Sequence, residues 1–206
     1  VGEHLLLEVG PTDVACAVRI AEEVIDLGDA DGVYARPLSI GDSARAERFS
    51  NAFTEWLDLT DSLVVNRPRS MRSDSSKPFQ SQLIADAGFV VPETLVTNEP
   101  DEVRAFAAEH QRVVFKSTSG IRSIVRELDA PYLARLEDVR ALPTQFQAYV
   151  AGVDRRVHVV GERVFATEVR SSAIDYRYAG REDRSVSLQP VELDDVTVSR
   201  CVALSK

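Results

Sequence analysis

The chain has 206 residues, with 24 lysines and arginines against 33 aspartates and glutamates and a net charge of −9. A hydrophobic fraction of 44% excludes wholesale disorder, and no apolar run approaches the ~18–20 residues that span a bilayer, which argues against an integral membrane protein. The acidic balance argues against a general nucleic-acid binder, which needs a basic footprint to displace counterions. Cys16 and Cys201 lie far apart and match neither a zinc-ligand spacing nor a disulfide framework, as expected of core thiols in a reducing cytoplasm. The acidic stretch 1–8 does not read as a signal peptide.

Taken in order, the pattern predicts a mixed α/β chain. Residues 5–9 form a short apolar run consistent with a strand. Residues 14–27 put Val14, Val18, Ala21, Val24 and Ile25 on one helical face, with Gly28 as the stop. A brief strand at 33–36 ends before Pro37, and residues 43–59 read as a helix that buries Phe49, Phe53, Trp56 and Leu57. After a strand at 63–66, the polar run RPRSMRSDSSK (67–77) marks a domain boundary, with Asp74 as a candidate cap for the next helix and Gly88 as its end. The segment GFVVPETLVT (88–97) is extended because Pro92 disfavours helix before it. A helix at 98–110 has Pro100 in its first turn and Val103, Phe106 and Ala107 on its apolar side. Strands follow at 112–116, 123–128 and 144–150, and then a hairpin, 155–160 with 163–170, turns at Gly161-Glu162. Leu193, Val196, Cys201 and Leu204 recur at helical spacing from near Glu192 without a stop signal. With Val1 in place of an initiator Met, this predicts that the natural protein continues past Lys206.

Three segments carry residue types suited to chemistry. In VVFKSTSG (113–120) an apolar strand delivers one lysine to a small flexible loop, the combination of fixed cation and accessible backbone N–H groups that a phosphate needs. The order is not that of a Walker A loop, and an exposed lysine before a turn explains the same residues. The stretch around Lys77 and residues 88–97 fits a plain helix-to-strand connection equally well. In residues 145–170, Asp154, Arg155 and Arg156 fit either an exposed loop pair or a site, whereas Arg170 and Arg177 each close an apolar strand-like run and offer a fork for phosphate or carboxylate. His158 alternates with Val157 and Val159 and fits a structural role. Arg67, Arg69 and Arg72 fit a solvated interdomain loop.

It is the order of these segments that is specific: KPFQSQLIADAGF, VPET, VVFKSTSG, QFQAYV, GVDRRVHVVGERVFATEVR and DYR, within residues 77–177. In this order the chain resembles the ATP-grasp superfamily. Within it, the resemblance is to the ribosomal-protein glutamate ligase-like branch that includes graspetide (microviridin-type) peptide macrocyclases. It covers roughly residues 63–206, and the first sixty residues match in layout only. The resemblance implies an α/β fold of the α+β ATP-grasp type: a pre-ATP-grasp-like α/β domain over residues 1–70, then an ATP-grasp domain over 71–206 that lacks its C-terminal metal-binding strands. It implies an ATP-dependent carboxylate ligase that makes an amide or ester bond through an acyl phosphate on a peptide, protein or amino-acid substrate. A non-catalytic ATP-binding scaffold module with the same fold is the alternative.

Carried over by position, Lys116 would contact the α-phosphate, and Lys77 would be the second lysine. Ser117, Ser119 and Gly120 would belong to the loop over the phosphates, where Ile121 and Arg122 replace the glycine-rich tail of many relatives. Gln147, Tyr149 and Val150 would form the hinge whose backbone reads adenine, and Asp154 would lie near the ribose. Arg156, Arg170 and Arg177 would face the phosphate and carboxylate end as the catalytic group. A two-residue hairpin turn puts Arg156 opposite Thr167 and Arg170 on the other face, and Arg170 is favoured for catalysis. The family holds Mg2+ with a later Asp and a Glu-x-Asn motif. Glu192, Asp194 and Asp195 do not match it, so the metal ligands are expected beyond Lys206. The resemblance also implies a homodimer, although no heptad pattern supports one.

Overall fold

The computed structural model describes residues 4–36, 44–118, 123–181 and 183–206. The chain divides into two compact units, Val1–Ser73 and Asp74–Lys206. In the first, β1 (His4–Val9), β2 (Val14–Ile20) and β3 (Glu23–Asp26) form an antiparallel sheet in that order. The helix expected at 14–27 is therefore a hairpin. Its apolar positions also alternate as Val14, Cys16, Val18 and Ile20, and β-branched residues favour the pleated surface once β1 supplies a partner. Ala21 turns the chain at φ 55°, and Asp26 accepts from the Gly28 N–H at 2.8 Å, so Gly28 belongs to a turn and ends no helix. Next, β4 (Gly32–Tyr34) pairs in parallel with β5 (Leu63–Val65), and α1 (Ala44–Leu59) connects them. Trp56 and Leu57 of α1 join Cys16, Ala35 and Val64 in the core of this unit.

The polar run after β5 is not an open linker, since Pro68–Ser75 winds into a 3-10 helix. Arg67 donates to the carbonyls of Leu57 and Ser62 at 2.8 and 2.9 Å, and Arg69 donates to that of Asp58 at 3.1 Å. The Leu57 and Asp58 carbonyls belong to the end of α1, which leaves its last carbonyls without helical partners and where positive charge is favoured.

In the second unit, α2 (Lys77–Asp86) is capped by Ser76, whose hydroxyl accepts from the Phe79 N–H. Asp74, the expected cap, accepts from the Gln80 amide instead. Gly88, at φ 85°, ends the helix as expected. Then come β6 (Thr94–Thr97), α3 (Pro100–Glu109), β7 (Val113–Ser117), β8 (Arg126–Glu127), α4 (Ala130–Leu133) and β9 (Thr144–Ala148). Of the strand expected at 123–128, only the two residues of β8 pair. The sheet order is β6-β9-β7-β8, antiparallel throughout. Val113 and Phe146 on one face pack with Val103 of α3 and with Leu136 and Val139 from a 3-10 turn. Lys116 and Gln145, paired in register, belong to the opposite face.

The hairpin forms as β10 (Asp154–Val160) and β11 (Arg163–Ser171) around Gly161, whose φ of 61° suits the turn. Arg156 pairs with Thr167, as the two-residue turn requires, so Arg156 and Arg170 lie on opposite faces. A 3-10 turn (Tyr176–Arg181) leads into β12 (Val186–Val191), which adds to β11. The final helix, α5 (Asp195–Leu204), begins three residues after Glu192, capped by Asp194, and packs on β10 and β11. No helix of the described residues is long and apolar enough to cross a membrane.

Candidate functional site

The second unit gathers Lys77, Lys116 and Arg177 from three separate elements. Lys77 stands at the first position of α2, fixed there by the Ser76 cap, and donates to the Thr118 carbonyl at 3.4 Å. Lys116 is half-buried near the end of β7, and among the described residues no acceptor bonds its ammonium. Arg177 is the second residue of the 3-10 turn before β12. The three lie close enough to feel one another. Burial first, then Lys77 and Arg177, push the Lys116 ammonium below its ordinary value, and burial followed by Arg177 does the same to Lys77. Like charges that are forced together and partly desolvated mark a site that an anion would stabilise.

A buried carboxylate sets the position of Arg177. Asp175, only 6% exposed at its side chain, accepts from Arg177 Nε at 2.8 Å, from Arg177 Nη2 at 2.6 Å, and from the Arg177 and Val125 backbone N–H groups at 3.2 Å each. Burial pushes the Asp175 carboxyl up, but the guanidinium and the two N–H groups outweigh it and hold the group below its usual value. Arg177 Nη2 also donates to the Ser123 carbonyl at 3.0 Å, and the Ser123 hydroxyl donates to that of Ser117 at 3.2 Å. The segments on either side of residues 119–122 are thereby joined to each other and to Arg177. Asp175 thus neutralises one of the three cations. A largely apolar cleft of 530 Å³ is lined by Ser76, Pro78, Ser117, Thr118, Leu142 and Pro143, and by none of the three cations.

Other sequence-expected residues lie elsewhere or are already engaged. Ser119 and Gly120 fall outside the described residues, as do Ile121 and Arg122. The Tyr149 N–H, expected to read adenine, donates to the Arg112 carbonyl at 2.9 Å, and Arg112 stacks over its ring at 3.8 Å. The Tyr149 N–H is therefore not available to a base, whereas the exposed Val150 N–H bonds nothing among the described residues. Gln147 donates to Thr94 Oγ1 at 3.0 Å. Asp154 is exposed at the start of β10. Arg156 is exposed and donates to His158 at 3.3 Å, while Arg170 pairs with Glu168 at 2.6 Å. Both arginines thus have partners on their own strands and not in the Lys116 cluster.

Sequence reading missed two polar residues of the site, Asp175 and Gln145. The signal for Asp175 was present in its spacing from Arg177, since a carboxylate two residues before an arginine can meet it across a turn. Gln145 is 1% exposed and its side-chain oxygen is buried without a partner among the described residues, and no local pattern in TQFQA announces that. Among the described residues, no group of three or more His, Cys, Asp or Glu side chains converges to hold a metal ion.

No family model matches the chain. The ATP-grasp ligase PsnB, solved with a phosphomimetic variant of its minimal precursor, Mg and ADP, superposes with a TM-score of 0.76 at 25% identity, over 98% of this chain and 70% of that one. A Chryseobacterium gregarium RiPP-associated ATP-grasp ligase, solved with ADP and a leader and core peptide, gives a TM-score of 0.78 at 23% identity over 99% of this chain and 69% of its own. The glutathione synthetase of Pseudomonas putida is 33% identical over 127 residues, which is 56% of this chain and 39% of that protein. The chain spans under half the length of the curated relatives it matches. The chain is thus similar in fold, and in part of its sequence, to ATP-grasp ligases, RiPP-associated ones among them.

Proposed function

We propose that the protein is an ATP-dependent carboxylate ligase that forms an amide or ester bond on a peptide or protein substrate through an acyl phosphate. The observation that carries this reading is the Lys77–Lys116–Arg177 cluster, in which three cations from separate elements meet, Asp175 fixes the arginine, and both lysines are held below their ordinary pKa. Relatives solved with ADP or an ATP analogue and with precursor peptides support the ligand and substrate classes.

In the first half-reaction a substrate carboxylate oxygen bonds to the γ-phosphorus of ATP, the bond from that phosphorus to the β–γ bridging oxygen breaks, and ADP leaves with the electron pair. In the second, an amine or hydroxyl attacks the acyl carbon and loses a proton, and inorganic phosphate departs. Both steps bring anions together, so the protein contributes chiefly charge neutralisation and positioning. Lys116 and Lys77 take the phosphate oxygens and regain their ordinary affinity for the proton as they do so. Arg177, aligned by Asp175, presents its outer guanidinium edge to the same phosphates. Ser117 adjoins them, while Gln147, Val150 and the Tyr149 carbonyl border the base and Asp154 the ribose. Of the two hairpin arginines, which lie on opposite faces, Arg170 serves the carboxylate end. The described residues do not fit a Mg2+ site, and no step is assigned to one.

Calorimetric titration with ADP tests the reading. Lys116→Ala should weaken binding by at least about tenfold, the equivalent of about 1.4 kcal/mol. Equal affinity in the variant and the wild type overturns the assignment.

A further inference from the structure

Gln145 occupies the central strand of its sheet, between Val96 of β6 and Lys116 of β7, and is 1% exposed. Its Oε1 is buried and has no hydrogen-bond partner among the described residues. Such an atom is rare in a folded protein and costs stability that an apolar side chain of similar length would not. The next glutamine on the same face, Gln147, has no such debt, because its amide reaches Thr94. Directly across from Gln145 stands Lys116, whose ammonium also lacks an acceptor among the described residues. Cross-strand neighbours have Cβ atoms about 5 Å apart, within reach of a long amide and a lysine. An orphaned acceptor and an orphaned donor thus share one register pair, on the face opposite the hydrophobic core.

Resting on the ATP-site reading above, we infer that Gln145 is a positioning residue for Lys116: with a nucleotide bound, its side-chain carbonyl accepts one N–H of the Lys116 ammonium and aims the other two at phosphate oxygens. A lysine on a flexible stem presents three donors in no fixed direction, and a fixed acceptor beneath it selects the rotamer that faces the ligand. The acceptor is neutral, so it orients the ammonium without cancelling the charge the phosphates need. The other charged groups facing Lys116 are Lys77 of α2 and Arg177, itself paired with Asp175. Neither cation can accept a hydrogen bond, which leaves the orienting role to Gln145.

Gln145→Met and Gln145→Glu, each titrated with ADP across alkaline pH and each melted without nucleotide, test this. Gln145→Met removes the orphaned oxygen. It should keep or raise the melting temperature and weaken ADP binding about tenfold, the effect of losing one charge-assisted hydrogen bond. It should also move the alkaline loss of affinity to lower pH, because the ammonium has lost an acceptor. Gln145→Glu should weaken binding by neutralising Lys116 and move that loss to higher pH. A purely structural role would lower stability without moving the pH profile, and would overturn the inference. If Gln145→Met does not fold, the direction of the Gln145→Glu profile decides alone. A wild type that binds ADP while Gln145→Met binds equally well overturns this inference and leaves the ATP site standing. A wild type that does not bind ADP overturns both.

Discussion

Replacing Asp175 by alanine should cost the second unit about 2–3 kcal/mol. Four hydrogen bonds end on this carboxylate, two from the Arg177 guanidinium and two from backbone N–H groups. At about 1 kcal/mol for each neutral bond and 1.5 or more for each charged one, the gross loss is near 5 kcal/mol. About half of it is recovered, because Arg177 is 51% exposed and rehydrates once released, as does the half-buried Val125 N–H. The stranded cation therefore costs less than the ~3–5 kcal/mol typical of breaking a fully buried pair. Urea unfolding followed by fluorescence measures the difference, with Asp175→Asn intermediate because its shape is kept and its charge lost. The pH dependence supplies a second reading. The folded-state carboxyl lies below the ordinary 3.8, so its contribution is fully present above that value and is lost as pH falls through the lowered one. Wild type and Asp175→Ala should then converge in strong acid. A difference under about 0.5 kcal/mol at neutral pH would refute the reasoning, since it would mean that the four contacts have no net effect on folding.

Two further outcomes are expected. ADP affinity of the wild type should decline as pH rises through a range below 10.5, because Lys77 and Lys116 both lose their protons earlier than an ordinary lysine; calorimetry at stepped pH checks this, and a decline beginning only above 10.5 would contradict it. Gly88→Ala should lower stability by about 1 kcal/mol in a thermal melt, since the position sits at φ 85° and the new Cβ would approach Arg200 Nε to 3.1 Å.

Local signals carried much of the architecture. The α1 and α3 helices, the lysine strand and the Gly161 hairpin each follow from residues adjacent in the chain, and the hairpin register follows from turn length alone. Residues 14–27 misled because Val14, Val18 and Ile25 satisfy a helical face while Val14, Cys16, Val18 and Ile20 satisfy a strand, and only the presence of β1 decides between them. Ser76 displaced Asp74 as the cap of α2 by two positions, a distance at which capping preference alone does not discriminate. Within the site, Lys116, Lys77 and Arg177 stood out because strand ends and helix starts are visible locally. Asp175 and Gln145 did not, because a role that depends on burial is set by strands far apart in sequence. The engagement of the Tyr149 N–H was hidden for the same reason: its partner, the Arg112 carbonyl, lies just before the neighbouring strand.

The placement of β9 between β6 and β7 bears on how the molecule assembles. β6 and β7 follow one another in the chain but do not touch as strands; β6 pairs only with β9, some tens of residues later, and β7, which also takes β8, is joined to β6 only through β9. Closing those loops costs entropy before any pairing rewards it, so this sheet forms through non-local contacts and should set the pace of folding for its unit. The Lys116–Gln145 pair comes into register at that same step, and the anion site therefore exists only in chains whose sheet is complete.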